Sequence, residues 1–145
     1  MNRSAQETSD PRAVLERLHA AQNRHDLDTF VACFADDYRS EQPAHPSWQF
    51  SGREQVRMNW AEVFRGIPDF RAELLRSAAA GDTIWVEWHW HGTRTEGAPF
   101  EMRGVTIFGV QDGLIAWGRL YVEPVEQADA GIEAAVRRMT EGAGA

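Results

Sequence analysis

The chain has 145 residues, enough to bury a sizeable core without disulfide or metal staples. Its 22 acidic residues outnumber 15 basic ones, for a formal charge of −7, and the arginines are scattered rather than clustered. That balance excludes a nucleic-acid groove or an anionic membrane as partner, since both need concentrated cations.

The single cysteine, Cys33, rules out an intrachain disulfide and fits a reducing cytoplasm. It lies in an apolar run and reads as a buried, inert thiol. Met1 to Asp10 is polar, without the apolar segment of a signal peptide, and no run is long enough to span a bilayer. The expectation is a soluble, cytoplasmic protein.

In chain order, residues 1–10 read as a disordered tail and 11–140 as a single domain. Asp10-Pro11 starts a helix, with the aspartate as N-cap and proline at the first helical position. Val14, Leu15, Leu18 and Ala21 then recur at helical spacing. His25-Asp26-Leu27-Asp28 breaks that run, and a short second helix carries Phe30, Val31 and Phe34. Residues 38–52, with Pro43, Pro46 and Gly52, read as an irregular loop. A third helix is predicted from Arg53 to Phe64, with Val56, Trp60, Val63 and Phe64 on one face. From Phe70 the period becomes two, predicting strands over 70–79, 83–95, 99–110 and 114–123. Gly81-Asp82 and Asp112-Gly113 are the hairpin turns. Ala128 to Met139 closes the chain as an amphipathic helix. Helices followed by an antiparallel meander predict an α+β fold, a curved sheet wrapping helices.

The segment Ile84-Trp85-Val86-Glu87-Trp88-His89-Trp90-His91 carries the functional question. A strand alternates its faces, so Trp85, Glu87, His89 and His91 share one side and Ile84, Val86, Trp88 and Trp90 the other. Either the polar face lines a pocket, or it looks at water.

Several short motifs resemble the SnoaL-like branch of the nuclear transport factor 2-like superfamily. They are Asn23-x-His25-Asp26-x-Asp28, Phe34-Ala35-Asp36-Asp37-Tyr38, Gly52-Arg53-Glu54, Pro68-Asp69-Phe70, Asp112-Gly113-Leu114-Ile115 and Arg119-Leu120-Tyr121-Val122-Glu123-Pro124. The resemblance implies a cone-shaped fold with N-terminal helices in the concave face of a curved, mostly antiparallel sheet, around one apolar pocket. It implies no single activity, because the scaffold hosts cyclases, isomerases, epoxide hydrolases and non-catalytic proteins. Matching the hydrolases without gaps puts their catalytic arginine at Glu87 and their two aspartates at His89 and Leu120, so that triad is absent. The same match turns Glu87, His89, His91 and Leu120 toward the cavity, together with Met102, Gly104, Thr106 and Phe108, and sets Glu41 at the mouth.

On that register the resemblance implies a cofactor-free acid–base enzyme, isomerase- or cyclase-like, for a hydrophobic carbonyl-containing or polycyclic compound. His89 is the expected base, Glu87 its orienter, and His91 or Glu41 a proton donor or substrate anchor. A carboxylate beside an imidazole favours the charged ring and fixes its tautomer, and general base catalysis contributes on the order of 10²–10⁴ in rate. Tyr38, Trp60, Phe64, Trp85, Met102, Thr106, Phe108 and Leu120 form the expected substrate wall. Two alternatives stay open: a non-catalytic ligand-binding or interaction module, and a metal-dependent enzyme using His89 and His91. For the latter, His89-x-His91 with Glu96 resembles a cupin metal pattern, but its second half is missing and Glu96 falls in a predicted hairpin turn. No metal or cofactor is therefore expected. His19 and His25 read as exposed. The even face of the strand, Val86, Trp88 and Trp90, with Val105, Ile107, Trp117 and Tyr121, predicts a homodimer through apposed sheets.

Overall fold

The structure, a computed structural model, describes residues 10–142. The expected disordered tail thus lies outside the described residues except for Asp10. The Asp10 side chain caps helix α1 (Pro11–Arg24) by accepting from the Arg12 amide at 2.9 Å. Val14, Leu15, Leu18 and Ala21 form its buried stripe, and His25 ends it in the left-handed region at φ 57°. Asp26 then caps the short α2 (Leu27–Val31) through the Thr29 amide.

Residues 38–41 are not loop but the end of strand β1 (Phe34–Glu41), which turns Phe34, Tyr38 and Ser40 inward. Irregular chain is confined to the segment around one 3₁₀ turn, Pro46–Trp48, before the two-residue β2 (Phe50–Ser51) and helix α3 (Arg53–Gly66). The prolines act only after β1 has ended. Its main partner is β6 (Leu114–Pro124), about 80 residues away and parallel to it, a pairing no local pattern reveals.

Strands β3 (Arg71–Ala80), β4 (Thr83–Thr93), β5 (Pro99–Gln111) and β6 fall close to their predicted bounds, and α4 (Gly131–Thr140) follows. The six-stranded curved sheet has the order β2-β1-β6-β5-β4-β3 and is antiparallel except where β1 meets β6. Asp112 and Gly113, both at positive φ, turn β5 into β6, as the tight hairpin geometry demands. Helices α1, α2 and α3 pack against one face of the sheet, and this is an α+β fold. No helix of the described residues is long and apolar enough to cross a membrane.

Strand β4 faces the opposite way from the expected parity. Its even-numbered side chains are the buried ones: Ile84, Val86, Trp88 and Trp90 are 1, 0, 1 and 9% exposed, against 41% for Trp85. In the β4–β5 ladder Val86 faces Thr106, Trp88 faces Gly104 and Trp90 faces Met102, so even residues of both strands share the inner face. Odd residues of β4 cannot join Thr106 and Phe108 inside without a one-residue slip in the hairpin. Energetics decide the same way. Burying an aliphatic or aromatic side chain contributes about 1.5–3 kcal/mol, whereas a carboxylate taken from water costs several kcal/mol unless fully paired.

The N-terminal end of β3, an edge strand, is covered by α1. Asn23 accepts from the Ala72 amide at 2.7 Å and donates to its carbonyl at 3.0 Å, while His19 Nε2 donates to that same oxygen at 2.7 Å. His25 donates to the Phe70 carbonyl at 2.8 Å and stacks on Phe64 with ring centroids 4.5 Å apart. Both histidines are therefore structural pins rather than exposed side chains, satisfying backbone groups that an open sheet edge would leave for another chain.

Candidate functional site

The inner face and helices α1–α3 enclose a half-open cavity of about 190 Å³. Of the predicted substrate wall, Tyr38, Trp60, Thr106, Phe108 and Leu120 line it. Three do not. Phe64 packs into the aromatic cluster of Phe30, Trp60 and Phe70; Met102 packs against the core beside the cavity; Trp85 stands on the outer face.

The four expected catalytic residues also lie elsewhere. Glu87 pairs with Arg76 at 3.1 Å on the outer face. His89 and His91 share that face with Glu73 and Glu101. Glu41 alternates outward from Ser40 on β1 and pairs with Arg119 at 3.2 Å. All four are on the opposite side of the sheet from the cavity, for the parity reason given above. Glu96, exposed in the β4–β5 turn, approaches neither histidine.

What the cavity holds instead is neutral. Gln22 from α1, Asn59 from α3, Ser40 and Gln42 at the end of β1, and Trp88 and Trp90 from β4 join its lining. Among the described residues, it is lined by no carboxylate, imidazole or guanidinium; Tyr38 is its one titratable group. Burial pushes the Tyr38 phenol up to about 12, with the Ser40 side chain acting weakly the other way. Gly118 makes room for that hydroxyl, since a Cβ there would come within 2.4 Å of it. Trp88 Nε1 donates to Thr106 Oγ1 at 2.8 Å, so this buried pair is satisfied. The Gln22 amide oxygen and Trp90 Nε1 are buried without hydrogen-bond partners, an arrangement costing about 1–3 kcal/mol per group.

The cavity can therefore enclose an apolar body and offer it side-chain amide and hydroxyl groups. It has no side chain poised to take a proton near neutral pH.

A family model described as a SnoaL-like domain matches residues 15–118. IdmH of Streptomyces antibioticus, a proposed polyketide cyclase, superposes with a TM-score of 0.67 at 24% identity, covering 78% of this chain and 91% of that one. A proposed ketosteroid isomerase from Kribbella flavida gives 0.67 at 23% identity, covering 88% of each chain. A protein with a ketosteroid isomerase-like fold from Catenulispora acidiphila, in complex with trimethylamine, gives 0.65 at 20% identity over 74% and 83%. These likenesses bear on the fold. None of the curated proteins matches the chain.

Proposed function

We propose, from the premise that this chain belongs to the SnoaL-like domain family, that its cavity binds an apolar small molecule bearing a carbonyl or hydroxyl group. The observation that carries this reading is the lining: aromatic and aliphatic walls with neutral polar groups, two of them buried and unpartnered. A ligand carbonyl or hydroxyl would pair with Tyr38 or with the side-chain amides of the wall, and a small side-chain turn of Gln22 or Trp90 would let it reach their unpartnered atoms. Size narrows the class. The cavity of about 190 Å³ is slightly larger than the roughly 150 Å³ that holds a benzene ring in an engineered protein core. One or two rings fit inside, and a longer polycycle would protrude past Gln42, Phe50 and Asn59.

Binding, rather than proton abstraction by a side chain, is the role this lining supports. Likeness to a proposed cyclase favours a second reading, in which Tyr38 donates to a developing oxyanion while water or the substrate itself moves the proton.

A panel of one- and two-ring ketones and alcohols separates these readings. Trp60, Trp88 and Trp90 line the cavity, so ligand entry is expected to change intrinsic fluorescence saturably and to raise the melting temperature. Leu120→Trp, which fills the cavity from its partly exposed side, is expected to weaken binding at least tenfold. Equal binding by wild type and Leu120→Trp, or none by either, would remove the cavity from the account. Recovery of chemically altered ligand by mass spectrometry, lost in Tyr38→Phe, would establish the catalytic reading instead.

The expected dimer is retained as a proposal on a corrected surface. Val86, Trp88 and Trp90 are buried inside the chain and leave it. Val105, Ile107, Trp117 and Tyr121 remain on the outer face, joined by Trp85. Helix α4 does not cover them, since its own stripe of Ile132, Val136 and Met139 is exposed. Sedimentation equilibrium is expected to give a dimer at micromolar concentration, and Tyr121→Glu a monomer. A monomeric wild type contradicts the proposal.

A further inference from the structure

The outer face of the sheet carries a cluster that the cavity does not use. His89 and His91, two apart on β4, bring their rings to 4.9 Å between centroids. Glu73 on β3 is the direct cross-strand neighbour of His89. One of its carboxylate oxygens lies 2.9 Å from His91 Nε2 and the other 3.6 Å from His89 Nδ1. On the other side, His89 Nε2 lies 2.7 Å from Glu101 of β5. We propose that Glu73, His89 Nδ1 and His91 Nε2 form a binding site for a divalent transition metal of the zinc type, with Glu101 orienting His89.

Three features point to a metal and not only to cross-strand ion pairing. The first is convergence: one ligand atom from each of the three residues falls within 4.8 Å of the others. Zinc–nitrogen bonds of about 2.0–2.1 Å in a tetrahedron set neighbouring ligand atoms about 3.3 Å apart. The separations of 2.9 Å from Glu73 Oε1 to His91 Nε2 and 3.6 Å from Oε2 to His89 Nδ1 lie near that spacing. The second is the tautomer. In its neutral form His89 donates through Nε2 to Glu101, which leaves the Nδ1 lone pair on the Glu73 side for a metal. A carboxylate behind a ligating imidazole is the arrangement that fixes ring orientation and raises its basicity. The third is the donor set. Two imidazoles and one carboxylate suit zinc and its neighbours, whereas calcium and magnesium require oxygen ligands throughout.

The site lies on the outer surface, so its fourth position is open to water or to an incoming ligand. Arg103 stands directly across from His89 and Arg71 across from His91. Both are exposed and free to turn away, but their charge weakens attraction for a cation. Glu73, from the neighbouring strand, takes the place that the cupin-like spacing gave to Glu96.

The test uses the full chain without a histidine tag, treated with chelator, then equilibrated with zinc chloride at neutral pH and freed of excess metal. Elemental analysis is expected to find one zinc per chain. His91→Ala and the His89→Ala/His91→Ala double variant are expected to lower zinc affinity at least tenfold, and Glu101→Leu about tenfold, as removal of such supporting groups does. All these side chains are on the surface face, and circular dichroism confirms the fold of each variant. Cobalt(II) in place of zinc is expected to give the visible absorption of a four-coordinate site, absent from the double variant. Uptake of no zinc by the wild type, or equal uptake by wild type and the folded double variant, overturns the proposal. Neither result touches the cavity reading, which rests on the other face.

Discussion

Trp88→Ala is expected to destabilise the fold by about 3–5 kcal/mol, the range for truncating a fully buried aromatic. Trp85→Ala, three positions earlier on the same strand, is expected to change stability by less than about 1 kcal/mol. Trp88 is 1% exposed, lies edge-on to His19 with ring centroids 5.6 Å apart, and donates its indole hydrogen to Thr106. Its removal leaves a void beside the cavity and strands the Thr106 hydroxyl, which is itself buried. Trp85 is 41% exposed and lies along the outer face near Arg76 and Val105. Chemical denaturation of the two variants reads the difference directly. Against a total stability of about 5–15 kcal/mol, the first variant loses a large fraction and the second almost none. Comparable losses, or the reverse order, would mean that β4 presents its other face to the helices, and would return His89 and Glu87 to the cavity.

Strand β4 is also where local pattern and structure part. Strand and helix bounds came out within a few residues, because periodicity changes sharply at Phe70 and the turns at Gly81-Asp82 and Asp112-Gly113 are strong local signals. Strand β1 is invisible to local pattern because what makes it a strand is a parallel partner at the far end of the chain. The orientation of β4 departs from expectation for a different reason. The octapeptide itself favours burial of Ile84, Val86, Trp88 and Trp90. The ungapped match to hydrolases reversed that preference by a single residue in the β4–β5 hairpin. Opposed residues in a ladder share a face, so placing Thr106 and Phe108 inside already required Val86 and Ile84 inside with them. The polar lining was legible in principle. Gln22 follows Leu18 by four on the buried stripe of α1. Asn59 lies three after Val56 and four before Val63, and Ser40 two after Tyr38. Gln22 and Ser40 are buried polar residues at apolar positions of their elements, the signature of a group kept for something other than packing, whereas Asn59 is exposed and lines the cavity from its open side. Glu73 could not be found this way, because its place beside His89 depends on the β3–β4 pairing and on the bulge at Leu75 that shifts it.

The Tyr38 phenol is expected to make stability fall at high pH. Its ionisation is raised from 10.0 in the open chain to about 12 in the fold, chiefly because burial disfavours the phenolate. Below about pH 10 both states hold the proton and this group contributes its full stabilisation. Between about 10 and 12 the unfolded chain releases the proton while the native one retains it. The unfolded state then binds fewer protons, so the slope of stability with pH is negative. A shift of about two units corresponds to roughly 2–3 kcal/mol, lost progressively across that window. Urea midpoints from pH 8 to 12 are expected to decline more steeply for wild type than for Tyr38→Phe, whose buried ring has nothing to ionise. Parallel curves would show that the phenol is hydrated in the native state. The same property bears on the cavity. A phenol that remains protonated at every physiological pH serves a bound carbonyl as a hydrogen-bond donor, and it cannot act as the base that the cavity lacks.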